Sequence, residues 1–362
     1  MSAGRGSMQV STWKRAVSRI GLELGYFTGA AQILTPRTGG AGVILRFERV
    51  KPRERGGFQP LRAQEITPDF LDRMLSALKR WRFDLVSIDE VVERLRAGRH
   101  QSGRSSRRFV CLTFDGGYRD FAIHAYPVLA RHRAPFAIYI PASFPDGLGE
   151  LWWLGLQQVV GGHDRIGLTI DGVDRRFDCR TPREKHDVYA ALYDWLRSLP
   201  QVERSGAIRD LCRRYRTDLA ATSQAAVMSW QQLSEIAADP LATIGSATLN
   251  YPVLSRTLND MAERELRMGR AVLEAAIGRK ASHLAYPFGD NRSLGRRHML
   301  IAGQLDFASA VTAEPGVVRA DGQVDLLSLP RITWDGRSRS MRAMRVVLSG
   351  LTVAGRQSNL QP

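Results

Sequence analysis

The sequence predicts an α/β barrel interrupted by a helical insertion, and three observations predict it. Short apolar runs alternate with amphipathic helical segments over roughly 300 of the 362 residues, the pattern of a parallel sheet joined by crossover helices. Several runs end in acidic, aromatic or glycine residues, as in "FVCLTFDGG" at 109–117, which suits strands delivering side chains to a functional rim. Between about 148 and 240 the strand signal gives way to helical spacing.

The elements follow in order. Residues 1–40 read as an N-terminal helical segment, where "WKRAVSRIGLELGYFTGAAQIL" at 13–34 places Val17, Ile20, Leu24, Phe27, Ala31 and Leu34 on one face. With Lys14, Arg15 and Arg19 beside it, that helix suits docking on its own domain or peripheral contact with an anionic membrane. "TPRTGGAG" at 35–42 is a breaker-rich linker into a main domain over 41–340. "GVILRFERV" at 42–50 reads as a buried strand, and 51–66 as a polar loop. A helix then opens with Thr67 as N-cap and Pro68 at its first position, with Phe70, Leu71, Met74, Leu75 and Leu78 at helical spacing.

"DLVSIDEVVERLRAG" gives a short strand and a helix stopped by Gly98, and the strand at 109–114 follows. "YRDFAIHAYPVLARH" is a helix and "PFAIYIPASF" a strand. In the insertion, "LWWLGLQQVV", "REKHDVYAALYDWLRSL" and "SGAIRDLCRRY" are helical. "MSWQQLSEIAADPLATIGSAT" returns to helix and strand, and "LNDMAERELRMGRAVLEAAIG" is a long amphipathic helix. "HLAYPFGD", "FASAVT" and "LLSLPRITW" are strand-like, and 341–362 read as a C-terminal tail.

Composition narrows the function. Lys+Arg number 52 against 36 Asp+Glu, a net charge of +16. An excess of this kind can serve nucleic acid, an acidic glycan or a membrane surface. Only five of these cations are lysines, and the arginines are scattered, so no nucleic-acid partner is expected. Three cysteines without CxxC spacing make neither a disulfide framework nor a zinc knuckle, and fit a reducing, cytoplasmic setting. Residues 1–12 show no secretory signal, and no apolar run approaches the roughly 20 residues of a membrane span.

The residues just past the strands are the candidate rim: Glu48, Asp115, "GSATLNYP" at 245–252, "YPFGD" at 286–290 and "RITWD" at 331–335. In this order and spacing, "LTFDGGYRD", "TIGSATLNYPVLS", "HLAYPFGD" and "LPRI" resemble the polysaccharide deacetylases of the NodB-homology type, carbohydrate esterase family 4. The resemblance implies a distorted (β/α) barrel of about seven strands. It also implies metal-assisted hydrolysis of an N-acetyl group on a saccharide. In that family one aspartate and two histidines hold a divalent ion such as zinc, and a neighbouring aspartate is the base. By the same resemblance Tyr286, Pro287, Phe288, Gly289, Asp290, Arg331 and Trp334 are the expected saccharide-binding positions.

Here the base position is Asp115, but the three ligand positions hold Gly116, Ala247 and Tyr251. A methyl group donates no lone pair, and a neutral phenol with its ordinary pKa of about 10 is a poor ligand. The arginine that orients the base in the family is Ala285 here, a histidine of the first strand is Glu48, and the late Leu-His segment has no match in 336–362. No two of the seven histidines stand at i, i+4. Glu48 and Asp115 as a bare acid/base pair, or with Asp290 as oxygen ligands to a hard ion, are thinner possibilities.

Two readings stay open. The first is a catalytically degenerate deacetylase-like barrel that needs no cofactor and binds an N-acetylated oligo- or polysaccharide or a partner protein. The second is a working N-deacetylase, a hydrolase of non-peptide C–N bonds, that uses a divalent metal at an unconventional site.

Overall fold

The computed structural model describes residues 38–98, 107–170, 172–319 and 324–353. The helix expected over 13–34 lies outside them. The main sheet is built from β1 (Gly42–Phe47), β2 (Asp84–Val86), β3 (Phe109–Asp115), β4 (Phe136–Ile140), β5 (Ala242–Ser246), β6 (His283–Ala285), β7 (Ser309–Val311) and β8 (Ile332–Thr333). Their order is β7-β6-β5-β4-β3-β1-β8, with β2 beside the first half of β3. Every pairing is parallel. This is the curled, parallel, distorted barrel that the alternation of strands and helices predicts.

The sheet closes through one short segment. Leu329 bridges Val311 on the β7 edge, and three residues on Ile332 pairs with Leu45 of β1. Arg331 lies between these two contacts.

Successive residues of a strand point to opposite faces, and β1 shows the consequence. Val43, Leu45 and Phe47 pack outward with Phe70, Leu71 and Met74 of helix α1 (Pro68–Arg80). Ile44 packs inward with Cys111, Ala137, Tyr139 and Val311. Arg46, two residues after Ile44, shares the inward face. The helix start at Thr67 is as expected, since its hydroxyl accepts from the Phe70 N–H at 3.3 Å. The two glycines after β3 adopt φ of +97° and +62°, which a tight strand-to-helix turn requires.

Three differences from the sequence reading stand out. The insertion contains an antiparallel hairpin, Arg165–Ile170 with Val173–Asp178, among its helices. The helix after Asp115 begins with a π-helical turn at Phe121–Ala125 before α-helix Tyr126–His132. Residues Met341–Leu348, read as part of a tail, form a helix that buries Ala343, Met344 and Leu348 in the main core.

Candidate functional site

Asp115 ends β3 at the carboxyl side of the barrel, 3% exposed. Both of its oxygens are taken. Arg331 grips it in a bidentate fork, Nη1 to Oδ1 at 2.7 Å and Nη2 to Oδ2 at 2.8 Å. Arg46 Nε donates to Oδ2 at 2.6 Å. Arg331 is itself fixed, with Nε on the Thr312 carbonyl at 2.7 Å and Nη1 on Thr113 Oγ1 at 3.1 Å. Arg46 reaches onward through Nη2 to Glu48 Oε1 at 2.8 Å. Two guanidiniums and two carboxylates thus form one closed, formally neutral network.

The electrostatics follow from these contacts. Burial would raise the Asp115 carboxyl, but Arg331 and then Arg46 hold it below the usual carboxylate range. Glu48 keeps only one strong partner, so burial wins and pushes its carboxyl up. Arg46 gains more from Glu48 and Asp115 than burial costs it, so it stays charged.

Above this network opens a cavity of about 40 Å³, room for about two or three waters or one acyl-sized group. Arg46, Glu48 and Asp115 line it with Gly116 and Gln64, and Tyr118, Phe144, Trp153, Tyr193, Tyr251 and Phe288 form an aromatic wall. Trp153 Nε1 donates to the Tyr118 hydroxyl at 3.1 Å. The Tyr251 ring stands 5.1 Å from Phe288 and 6.0 Å from Trp153. Its hydroxyl accepts from the Phe288 N–H at 3.3 Å, and burial pushes the phenol up to about 12. Thr248, Tyr251 and Phe288 all have positive φ, between 56° and 69°, and such strained backbone collects at functional sites.

The expected positions divide. Asp115, Gly116, Tyr251 and Phe288 converge on the cavity, and Arg331 supports it from below. Ala247 is buried in the barrel interior beside Tyr251. Pro287 and Gly289 flank Phe288, with Gly289 at φ +72° against the Ala313 N–H.

Others lie elsewhere. Tyr286 turns to the opposite side of its strand, where its hydroxyl donates to the Leu327 carbonyl at 2.9 Å. Trp334 is buried against Phe70 at 5.5 Å and serves the core. Asp290 is bound by Arg197 of the insertion at 2.6 Å, outside the cavity. Glu48 and Asp115 do not stand as a bare carboxylate pair, because Arg46 bridges them. Nor does Asp115 cap the following helix, since its oxygens belong to the arginines.

Arg46, Tyr118, Phe144, Trp153 and Tyr193 were not among the expected site residues. For Arg46 a signal existed: a lone cation inside the apolar run "VILRF" of a buried strand demands a buried carboxylate partner. The arginine expected where Ala285 stands is absent, yet the carboxylate is still held by guanidiniums, one from β1 and one from the closing segment just before β8.

Comparison with known proteins agrees with this architecture. Residues 213–307 match the family model described as polysaccharide deacetylase. Over that stretch the chain resembles the polysaccharide deacetylase family. The match spans Ala247, Tyr251 and the 286–290 loop and does not reach Asp115.

Among solved structures, the chain is similar to the deacetylase PplD of Streptococcus pyogenes, solved in complex with acetate. The identity is 17% and the TM-score 0.53, over 89% of this chain and 98% of that one. It is also similar to IcaB from Ammonifex degensii, at 19% identity and TM-score 0.52 over 86% and 98%. A de-N-acetylase from Aggregatibacter actinomycetemcomitans follows at 14% and 0.51, over 84% and 98%. At these identities the likeness is one of fold. No curated protein matches the chain. No described helix is long and apolar enough to cross a membrane.

Proposed function

We propose that this chain is a polysaccharide deacetylase-like barrel that binds an N-acetylated saccharide at the rim without metal-dependent hydrolysis. One observation carries the reading: Asp115, the family's base position, has both oxygens committed to Arg331 and Arg46. A carboxylate held below its usual range by two guanidiniums is a weak base toward water.

The residues present do not fit a divalent ion. Gly116 and Ala247 carry no donor atom, and Tyr251 offers a protonated phenol already engaged with the Phe288 amide. The Arg46 guanidinium lies 2.6 Å from the Asp115 oxygen that an ion beside that carboxylate would have to approach, and like charges repel strongly in a buried site. Among the described residues no group of three His, Cys, Asp or Glu gathers to hold a metal. The cavity suits binding instead. Its volume admits an acetyl-sized group, and its aromatic wall can lie against a pyranose ring whose C–H groups face the π-system.

The test is acetate release and binding measured side by side. Chitooligosaccharides are titrated into the full chain by calorimetry, and acetate is assayed with zinc, cobalt or a chelator present. Binding without acetate release is expected in every condition. Acetate release that requires both a metal and Asp115, abolished in Asp115→Ala, would establish the working N-deacetylase instead.

A further inference from the structure

Segments leaving β1 and β8 meet on the same rim as the cavity. The Gly336 N–H donates to the Ala63 carbonyl at 2.8 Å, and a Cβ at Gly336 would come within 3.0 Å of the Arg62 carbonyl. Trp334 stacks on Phe70, and its Nε1 donates to the Ser338 carbonyl at 3.2 Å, which pins residues 335–338 over the start of α1. This convergence gathers Arg53, Arg62, Arg73 and Arg339. Some burial, and then the fields of Arg53, Arg62 and Arg73, pull the Arg339 guanidinium below its usual value.

The carboxylates nearby do not neutralise the cluster. Glu54 and Glu65 face Lys51 at 2.6 and 3.5 Å, and Glu65 lies 3.7 Å from Arg62. Asp335 is taken by Arg337 at 2.8 Å. Asp69 opposes the cluster only through its field and through its backbone carbonyl, which accepts from Arg73 Nε at 3.3 Å. Arg53, Arg73 and Arg339 are exposed and make no ion pair with any described residue. Gln64, two residues beyond Arg62, lines the cavity, so the cluster begins beside the cavity wall.

We infer that this arginine cluster extends the binding site and that the saccharide it takes is acidic, bearing its negative groups on units next to the one in the cavity. The inference rests on the saccharide-binding reading above. A membrane surface fits less well: peripheral binding needs apolar side chains to insert beside the cations. The exposed large apolar residues of the described chain, among them Ile123, Leu148, Val202 and Leu300, lie outside residues 51–73 and 335–340.

The experiment compares two probes that share N-acetylglucosamine, a neutral chitin hexasaccharide and a hyaluronan hexasaccharide, with the full chain and with Arg73→Gln/Arg339→Gln. The hyaluronan probe should bind about tenfold more tightly at low salt, as expected when a few guanidiniums each add a modest screened attraction. That advantage should shrink with added salt and in the double variant, while chitin affinity stays the same. Equal affinity for the two probes, or a preference that salt and the variant leave unchanged, overturns the inference and leaves saccharide binding standing. Failure of both probes overturns both readings. Binding to phosphatidylglycerol vesicles that the double variant abolishes, with no preference for hyaluronan, overturns it in favour of a membrane.

Discussion

Asp115 and Glu48 sit on either side of Arg46 yet are expected to respond oppositely to pH. The folded state holds the Asp115 carboxyl below its ordinary value. Its contribution is therefore present above the unfolded pKa of about 4 and is lost as pH falls through the folded one. Glu48 is raised by burial, so ionising it costs stability as pH rises past about 4.3. Asp115→Asn should destabilise the chain by about 3 kcal/mol at neutral pH, because two buried guanidiniums lose their counter-charge. Glu48→Gln should cost less, and its deficit against the unaltered chain should narrow between pH 4 and 7. Urea unfolding midpoints at several pH values check both. A Glu48→Gln deficit that widens with pH would contradict the assignment.

At the scale of elements, the insertion is clasped to the rim by helix Pro182–Ser198. Arg197 near its end binds Asp290 at 2.6 Å and lies over the Phe288 ring at 4.8 Å. The same helix supplies Tyr193, and helix Trp152–Gly162 supplies Trp153, to the aromatic wall. Arg197→Ala should therefore act on the site more than on the fold. About 1 kcal/mol of stability should be lost, since the pair is partly exposed, with faster amide exchange over 286–290 and weaker saccharide binding. Unchanged exchange in that loop would show that the clasp does not order it.

For the molecule as a whole, the barrel is joined edge to edge through 329–333, and Arg331 locks that joint from inside. Its side chain is fully buried and ties Thr312, Thr113 and Asp115 together. Arg331→Met keeps much of the volume but leaves the Thr312 carbonyl without this donor and Asp115 with Arg46 alone. Amide exchange should then rise together in β1 and β7, the two strands joined by this segment, with a loss of about 3–5 kcal/mol. Exchange confined to one of them would mean that the joint does not couple the edges.

The sequence by itself determined the strand and helix alternation, the cap at Thr67, the glycine turn after Asp115 and the rim order of the four motifs. Each is local, written in periodicity, capping chemistry or backbone freedom. Even the hairpin at 165–178 had a local sign, the Asp-Gly at 171–172 between β-prone residues. Only the tertiary structure decided which residues form the site. Arg46, Asp115 and Arg331 meet because β1, β3 and the closing segment bring them within hydrogen-bonding reach, although 69 and 216 positions separate the pairs. No local pattern encodes such distances. The inward or outward face of Tyr286 and Trp334 was likewise fixed by packing, because an aromatic at a strand end fits core and rim equally until the neighbouring elements are in place.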